Sequence, residues 1–206
     1  MQEYPLDPRR SAVIVFDMMN HSIKGDAVRH QHAVETGQIE RFAAFLSRAR
    51  GLSLPVVYVV ALHRPDNADQ KLVLTDQNIR LLQQGRPAII GAEEGSSGAE
   101  VMDELRPEPG DILVRKHRRS AFHDTDLDLI LRSRGVDTIL VGGQRSDVGM
   151  QSTIRCACDM DYNVVLLSDC SGGTTPLEHE WALEHSLPWF SRVMTSEEAL
   201  KLLGAG

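Results

Sequence analysis

Short, uninterrupted apolar runs recur along this chain, separated by longer segments with helical periodicity. Five runs and a weaker sixth lie at residues 12–16 (AVIVF), 56–61 (VVYVVA), 112–114, 139–141 and 164–167, and near Val193. Each run is rich in β-branched residues, is too short for a buried helix and shows no polar alternation. Such runs are typical of strands that are buried on both faces, as in a parallel sheet.

Helices are predicted between these runs. The clearest spans residues 39–50, where Ile39, Phe42, Phe45 and Leu46 recur on one helical face. Further helices are predicted at residues 72–82, 99–105, 125–134, 148–160, 177–185 and 196–203. Strands that alternate with helices indicate βαβ units, and hence one α/β domain over residues 1–206, with helices on both faces of a parallel sheet.

Composition and charge narrow the range of functions. The chain of 206 residues is 42% hydrophobic, and its net charge of −7 argues against a general nucleic-acid-binding protein. No apolar run approaches the roughly 20 residues that span a bilayer, and the segment MQEYPLDPRR lacks the apolar core of a signal peptide. The three cysteines are too few for a disulfide framework. We therefore expect a cytoplasmic protein that binds a small molecule, without nucleic-acid or membrane partners.

Ligands of parallel α/β sheets bind beyond the carboxyl ends of the strands, where this chain places two charged residues. Asp17 follows the first strand directly, and partial burial there favours a carboxyl group that exchanges protons with a substrate. The alternative is an Asp that caps its loop by bonding backbone amides. Lys116 ends the third predicted strand and is expected to hold Asp17 ionised or to bind an anion. Its alternative is a solvated basic loop.

The segment 142–149 follows the fourth predicted strand and leads into a helix. Backbone N–H groups at such a position are suited to an oxyanion or a carboxylate. Cys156 lies about two turns inside that helix and Cys158 faces elsewhere, so both are predicted to be buried, inert thiols. His30 and His32 are an isolated pair of histidines in a polar stretch, and the histidines of the chain show no metal-binding spacing. No metal and no other cofactor is predicted.

The order of these motifs resembles the isochorismatase-like (cysteine hydrolase) superfamily, which includes nicotinamidases, carbamoylsarcosine amidohydrolases, ureidoacrylate amidohydrolases and isochorismatases. The resemblance is carried by AVIVFDMMN at 12–20, HRPD at 63–66 and GDILVRKHRRSAFHDTDLDLILRSRGVDTILVGG at 110–143. It implies a three-layer α/β fold, doubly wound around a mostly parallel six-stranded sheet. It also implies a homodimer or larger homo-oligomer, and a cis peptide between Gly143 and Gln144.

The same resemblance implies a site built from an Asp, a Lys and usually a Cys, which map to Asp17, Lys116 and Gly149. The amidase members use a thiolate nucleophile, and glycine has no side chain that attacks a carbonyl. Isochorismatases also lack this cysteine and hydrolyse a vinyl ether by protonating it. The resemblance therefore implies that Asp17 is a general acid toward a small anionic vinyl ether. Lys116 would bind a substrate carboxylate, and Gly149 would leave space.

Substrate contacts are predicted at His63, Gln144 and Arg145. Met19 stands where isochorismatases commonly have Gln, and the HRPD segment is closer to amidase-like members, so the substrate stays open. Two alternatives follow: a catalytically silent member that binds a ligand or serves assembly, and an amidohydrolase in which Asp17 activates water directly. The Asp-x-His metal signature of nicotinamidases is absent, so their zinc or iron is not implied.

Overall fold

A computed structural model describes residues 4–70, 75–85 and 91–204 of the chain. Its seven-stranded sheet has the order β3-β2-β1-β5-β6-β7, with β4 also pairing with β2, and each strand pair is parallel. The strands are β1 (Ser11–Phe16), β2 (Val56–His63), β3 (Ala92–Glu93), β4 (Ile112–Lys116), β5 (Thr138–Gln144), β6 (Asn163–Gly172) and β7 (Arg192–Met194).

The predicted doubly wound α/β fold is confirmed, and six strands correspond to the six apolar runs. The expected number of strands is one too low, because β3 contains only two residues and leaves no apolar run in the sequence. The helices are α1 (Ala27–Thr36), α2 (Gln38–Gly51), α3 (Asp76–Gln83), α4 (Leu127–Ser133), α5 (Gly149–Asp159), α6 (Pro176–Trp181) and α7 (Ser196–Leu202). Residues 72–74 of the helix predicted at 72–82 lie outside the described residues.

Two helix predictions need correction. The helix predicted at residues 99–105 is wrong: two short 3₁₀ turns, Ser97–Ala99 and Asp103–Leu105, stand there instead. Between them Val101 pairs antiparallel with Met19, and this tertiary contact overrides the local helical pattern. The helix predicted at 177–185 divides into α6 and a π-helical turn, Ala182–Ser186. Helix α1 was not predicted, because Ala33 is its only buried residue.

Successive residues of β1 enter two separate cores, which explains its uninterrupted apolar run. Val13 and Val15 pack with helix α2, whose Phe42, Phe45 and Leu46 are buried. Ile14 and Phe16 belong to the opposite core, together with buried residues of helices α4 and α5. All six β1 residues are buried, since β2 and β5 flank this strand and helices cover both faces.

None of the helices in the described ranges has the length and apolar character needed to cross a membrane.

Candidate active site

The candidate site lies where the strand order reverses beside β1. Within the sheet, β2 lies on one side of β1 and β5 lies on the other side. Crevices at such a switch point, beyond the carboxyl ends of the strands, are the usual ligand sites of doubly wound folds. Asp17 follows β1, Lys116 ends β4, and Gly149 begins α5, which follows β5. The topology therefore brings three distant segments to one edge of the sheet.

Asp17 and Lys116 form a buried ion pair. Asp17 Oδ2 lies 2.9 Å from Lys116 Nζ, and only 2% of the lysine side chain and 14% of the aspartate side chain are exposed. Asp17 Oδ1 is also buried and has no hydrogen-bond partner among the described residues. This geometry excludes both alternatives, the aspartate that bonds only backbone amides and the solvated lysine. Lys116 therefore holds one of the two carboxylate oxygens of Asp17.

Two further contacts fix the lysine. Lys116 Nζ donates to the carbonyl oxygen of Arg118 at 3.4 Å and lies 4.8 Å from the centroid of the Phe16 ring. Asp17 itself has a left-handed backbone, with φ of 51°, and its N–H donates to the carbonyl oxygen of Val59 at 2.8 Å. A non-glycine residue in this region signals a constrained turn. The carboxyl group is therefore positioned by its own backbone as well as by Lys116.

Gly149 lies against the same Phe16 ring. A Cβ atom at position 149 would stand 3.1 and 3.3 Å from two ring carbons of Phe16 and 3.5 Å from the carbonyl oxygen of Arg119. A side chain there therefore requires a shift of a few tenths of an ångström in its surroundings. The Phe16 ring therefore lies against both Gly149 and the ammonium group of Lys116.

The loop that leads into α5 is tied to the loop that follows β6. The Thr174 N–H and hydroxyl donate to the Asp147 carboxylate at 2.8 and 2.6 Å. Arg145 Nε donates to the Thr174 hydroxyl at 3.2 Å, and Arg145 has a left-handed φ of 65°. Ser146 Oγ lies 2.8 Å from His179 Nδ1, and burial lowers the pKa of His179 to about 4. These bonds hold Arg145 and the start of α5 in place.

The expected cis peptide between Gly143 and Gln144 is wrong, since the described residues contain only trans peptide bonds. Gly143 instead allows the backbones of β5 and β1 to come close together at this point. Its φ of 137° is a backbone conformation that favours glycine, and a Cβ atom there would lie 2.0 Å from the carbonyl oxygen of Phe16.

Asp17, Lys116, Arg145 and Gly149 line one inner cavity of about 90 Å³. We use this name for the space lined by Asp17, His21, Ser22, Arg29, Ala61, Gly91, Lys116, Arg119, Arg145, Val148 and Gly149. Four cationic side chains and one carboxylate line it, although the whole chain carries a net charge of −7. A concave site with this excess of positive charge attracts anions.

His21 is a site residue that the sequence analysis missed. It lines the cavity, although the residue as a whole is exposed. Desolvation, followed by the nearby Arg29 charge, lowers the pKa of its imidazole and so favours the neutral form, which can accept a proton. Its position four residues after Asp17, in the loop beyond a strand, is the sequence signal that points to it.

An outer cleft of about 890 Å³ adjoins the inner cavity and shares three lining residues with it, Arg119, Arg145 and Val148. We use this name for the space lined by those residues and by Asp76, Leu81, Gln84, Asp147, Thr174, Leu177, Glu178 and Trp181. Helices α3 and α6 therefore form its outer walls.

The other predicted contacts lie apart from the inner cavity. His63 ends β2, is buried, and makes a 3.0 Å contact from Nδ1 to the carbonyl oxygen of Arg64. Gln144 is buried in the sheet layer, where its Nε2 donates to Gln38 Oε1 at 3.1 Å. Neither side chain lines the inner cavity. Of the three predicted substrate contacts, the structure brings only Arg145 to the site.

The three thiols also lie elsewhere. Cys156 is partly buried and Cys158 is exposed, so the expectation of burial is wrong for Cys158. Cys170 is buried, and burial raises the pKa of its thiol well above the usual range. None of the three lines the inner cavity or the outer cleft. Across residues 4–70, 75–85 and 91–204, no group of three His, Cys, Asp or Glu side chains is arranged to hold a metal ion.

Comparison with known proteins defines the class to which this fold and site belong. Residues 11–198 match the isochorismatase domain. The chain is 31% identical over 180 residues to the ureidoacrylate amidohydrolase RutB of Rhizobium rhizogenes, with 81% of this chain and 72% of that protein covered.

Solved structures of related proteins support the same assignment. A cysteine hydrolase from Pseudomonas syringae pv. phaseolicola superposes with a TM-score of 0.80 at 26% identity, covering 98% of this chain and 96% of that one. An N-carbamoylsarcosine amidase from Thermoplasma acidophilum gives a TM-score of 0.69 at 28% identity, covering 91% and 97%. The chain belongs to the isochorismatase family. It is a hydrolase of that family.

Proposed function

We propose that this hydrolase cleaves a small anionic vinyl ether by general acid catalysis, without a protein nucleophile. The observation that carries the proposal is the inner cavity itself. Asp17 presents a carboxylate oxygen without a hydrogen-bond partner among the described residues, while Gly149 offers no attacking atom. In the amidase members that the sequence resembles, a thiolate attacks from the position of Gly149.

The anionic character of the substrate is supported by charge. Lys116 shares the cavity with Arg29, Arg119 and Arg145, whereas Asp17 is the one carboxylate in its lining. Arg29 also pairs with Asp26 at 3.4 Å, so the excess of positive charge is carried by the remaining lining cations. A substrate carboxylate near Lys116 would share the ammonium group with Asp17. The proposed mechanism requires that Asp17 carry a proton in that complex.

The reaction follows from that protonated carboxyl group. Asp17 transfers its proton to the terminal carbon of the vinyl ether, which becomes a methyl group, and positive charge develops at the ether carbon. Water adds to this oxocarbenium ion and loses a proton, which returns to the Asp17 carboxylate directly or through the neutral imidazole of His21. The hemiketal then collapses to a ketone and an alcohol. The sum is one water consumed and one carbon–oxygen bond broken.

The direct test is pyruvate release from isochorismate by the purified protein. We expect turnover in the parent protein and its loss in Asp17→Asn, with an unchanged circular dichroism spectrum. Asp124→Asn is the matched control, because it makes the same substitution at a carboxylate that is 88% exposed and lines neither the inner cavity nor the outer cleft. Full activity of the Asp17→Asn protein would remove Asp17 from the mechanism, and absent turnover in the parent protein would reject this substrate.

A second candidate is an amidohydrolase in which Asp17 activates water directly. It is favoured by the relatives, since two of them are named ureidoacrylate amidohydrolase and N-carbamoylsarcosine amidase. Amide hydrolysis by the parent protein, which only the second candidate predicts, separates the two candidates. Gly149→Cys then tests how far this site differs from that of the amidase members. The cavity accommodates a Cβ atom after a small shift of the Phe16 ring, so the variant is expected to fold. New amidase activity would show that only the nucleophile differs from the amidase members.

Thiol chemistry offers an independent check on the absence of a nucleophilic cysteine. Cys158 is exposed and is expected to react with iodoacetamide. Because Cys158 does not line the cavity, alkylation should leave turnover unchanged. Loss of turnover in step with alkylation would contradict the proposal. Ligand binding without turnover across a broad panel of vinyl ethers and amides would instead favour a catalytically silent binding or assembly protein.

We also propose, from the family resemblance, that the protein acts as a homodimer or larger homo-oligomer. A cytoplasmic location is proposed from its sparse cysteines.

A further inference from the structure

Two buried glutamine side chains link helix α2 to the ends of strands β5 and β6. Gln38 is the first residue of α2 and Gln144 is the last residue of β5, and each of them is only 1% exposed. Gln144 Nε2 donates to Gln38 Oε1 at 3.1 Å. Burying an amide group costs free energy unless hydrogen bonds compensate for the lost water, so the contacts of a buried amide pair indicate what it does.

The other contacts of Gln38 lie where the ladder between β5 and β6 is interrupted. In β5, Val141 and Gly143 are two positions apart, whereas their partners in β6 are five positions apart. Such a bulge leaves backbone groups without partners in the ladder. Gln38 Nε2 donates to a carbonyl oxygen within the bulge, that of Cys170, at 3.3 Å, and it lies 3.5 Å from the carbonyl oxygen of Gly143. The Gln38 side chain therefore holds the two strands together at the interruption.

Beyond the bulge, the two strands pair again directly before the loop that carries Arg145. Gln144 pairs with Gly172, whose carbonyl oxygen accepts a hydrogen bond from the Ser146 N–H at 2.9 Å. A Cβ atom at Gly172 would lie 2.9 Å from Gln144 Nε2 and 3.1 Å from Gln38 Oε1, so the amide pair packs directly on this glycine. Arg145 is the first residue after β5 and lines the inner cavity. Its position therefore depends on where the two strands resume pairing.

We propose that Gln38 is a positioning residue of the site: by holding the ends of β5 and β6 together, it places Arg145 for contact with an anionic group in the inner cavity. Gln38 lines neither the inner cavity nor the outer cleft. The inference rests on the proposed function in one respect, that the inner cavity binds an anion. Gln144 is the matched comparison, because it has the same side chain and the same exposure, whereas its Oε1 has no hydrogen-bond partner among the described residues.

Hydrogen exchange measured by mass spectrometry tests the positioning role without any turnover. Gln38→Met keeps the length of the side chain and removes its amide. Exchange in peptides covering residues 141–150 should then rise more than exchange in peptides from β1, because the Ser146 N–H loses its fixed acceptor. Gln144→Met should raise it much less. Leu46→Ala, in the same helix and the same core, is the control for a general loss of stability and should raise exchange in both regions alike.

Binding of pyruvate, a small carboxylate, is the second readout, and isothermal titration calorimetry measures its affinity. We expect Gln38→Met to bind pyruvate about tenfold more weakly, which corresponds to the loss of one hydrogen bond to a charged group. If Gln38 acts through Arg145, then Gln38→Met should cause no further loss of affinity when Arg145→Met is already present. Leu46→Ala should bind pyruvate as the parent protein does, although it is less stable.

Two results would overturn the inference. One is an equal effect of Gln38→Met and Gln144→Met on exchange and affinity, since the amide pair would then matter only as a pair. The other is a further loss of affinity from Gln38→Met in the Arg145→Met protein. If Gln38→Met does not fold, the double variant Gln38→Met and Gln144→Met, which leaves no glutamine amide unpaired, replaces it. Exchange at the parent level over residues 141–150 in that variant would equally reject the positioning role.

Failure of the proposed function gives different results. If the parent protein does not bind pyruvate, anion recognition by the inner cavity is rejected, and with it the role of Gln38 in placing Arg145 for an anion. The exchange measurement then decides separately whether Gln38 holds the loop. Failure to release pyruvate from isochorismate would reject the proposed reaction alone and would leave both measurements on Gln38 unaffected.

Discussion

Replacing Lys116 with Met would leave the Asp17 carboxylate without its counter-ion in a buried place. Only 2% of the Lys116 side chain and 14% of the Asp17 side chain are exposed, and the atoms of the pair lie 2.9 Å apart. Removal of one partner of a buried ion pair typically costs about 3–5 kcal/mol, because the remaining charge is uncompensated. Since Asp17 keeps some contact with solvent, we expect the free energy of unfolding to fall by about 3 kcal/mol.

The assay is thermal and urea unfolding at neutral pH. For a chain of this length, about 3 kcal/mol corresponds to a fall in Tm of roughly 6–12 °C. Arg115→Met is the matched control, because it removes the same charge from the preceding residue of β4. Arg115 is 57% exposed and pairs with Glu94 on the surface, so its loss should cost about 0–1 kcal/mol.

A second variant distinguishes the effect of the uncompensated charge from the effect of lost side-chain packing. Asp17→Asn combined with Lys116→Met replaces both charges, and it should recover most of the lost stability. Equal stability of Lys116→Met and Arg115→Met, or no recovery in the double variant, would refute the reasoning.

Two further predictions concern the frame of the site. Gly143→Ala should destabilise by about 3 kcal/mol or more, because its Cβ would meet a backbone oxygen at 2.0 Å. Gly135 also has a positive φ, but an added Cβ atom would meet no neighbour, so Gly135→Ala should cost only about 1–2 kcal/mol. Equal losses of stability for the two variants in urea unfolding would contradict this explanation. Stability should fall as the pH drops from 6.5 towards about 4, because burial lowers the pKa of His179 and only the unfolded chain binds the proton. Tm measured against pH should show a weaker slope in His179→Gln, and an unchanged slope would assign the effect to other groups.

Much of the site could be found from residue order alone. Asp17 and Lys116 each stand at the end of an apolar run, and parallel strands place such ends at one edge of the sheet. The same reasoning placed Arg145 and Gly149 in the segment that leads from β5 into α5. It failed for Gln144, whose side chain enters the buried layer beside Gln38, because the face taken by a residue at a strand end depends on local backbone geometry.

Other members of the site carry only a weak local signal. His21 and Arg29 lie in and after the loop that follows β1, and Arg119 lies after β4, yet all three meet in one cavity of about 90 Å³. Their charges resemble those of ordinary surface loops when each is considered alone. The excess of positive charge becomes visible only when the fold assembles these segments around Asp17.

The sequence by itself determined the parallel sheet, because strands buried on both faces must be apolar throughout. It also determined the chemistry that is available at the sheet edge, an acid, a cation and a glycine. Only the tertiary structure decided which groups meet. The Asp17–Lys116 contact joins residues 99 positions apart in the chain, and the outer cleft depends on how α3 and α6 pack beside it. Local patterns record which face of an element is buried, whereas distances between elements arise from packing over the whole fold.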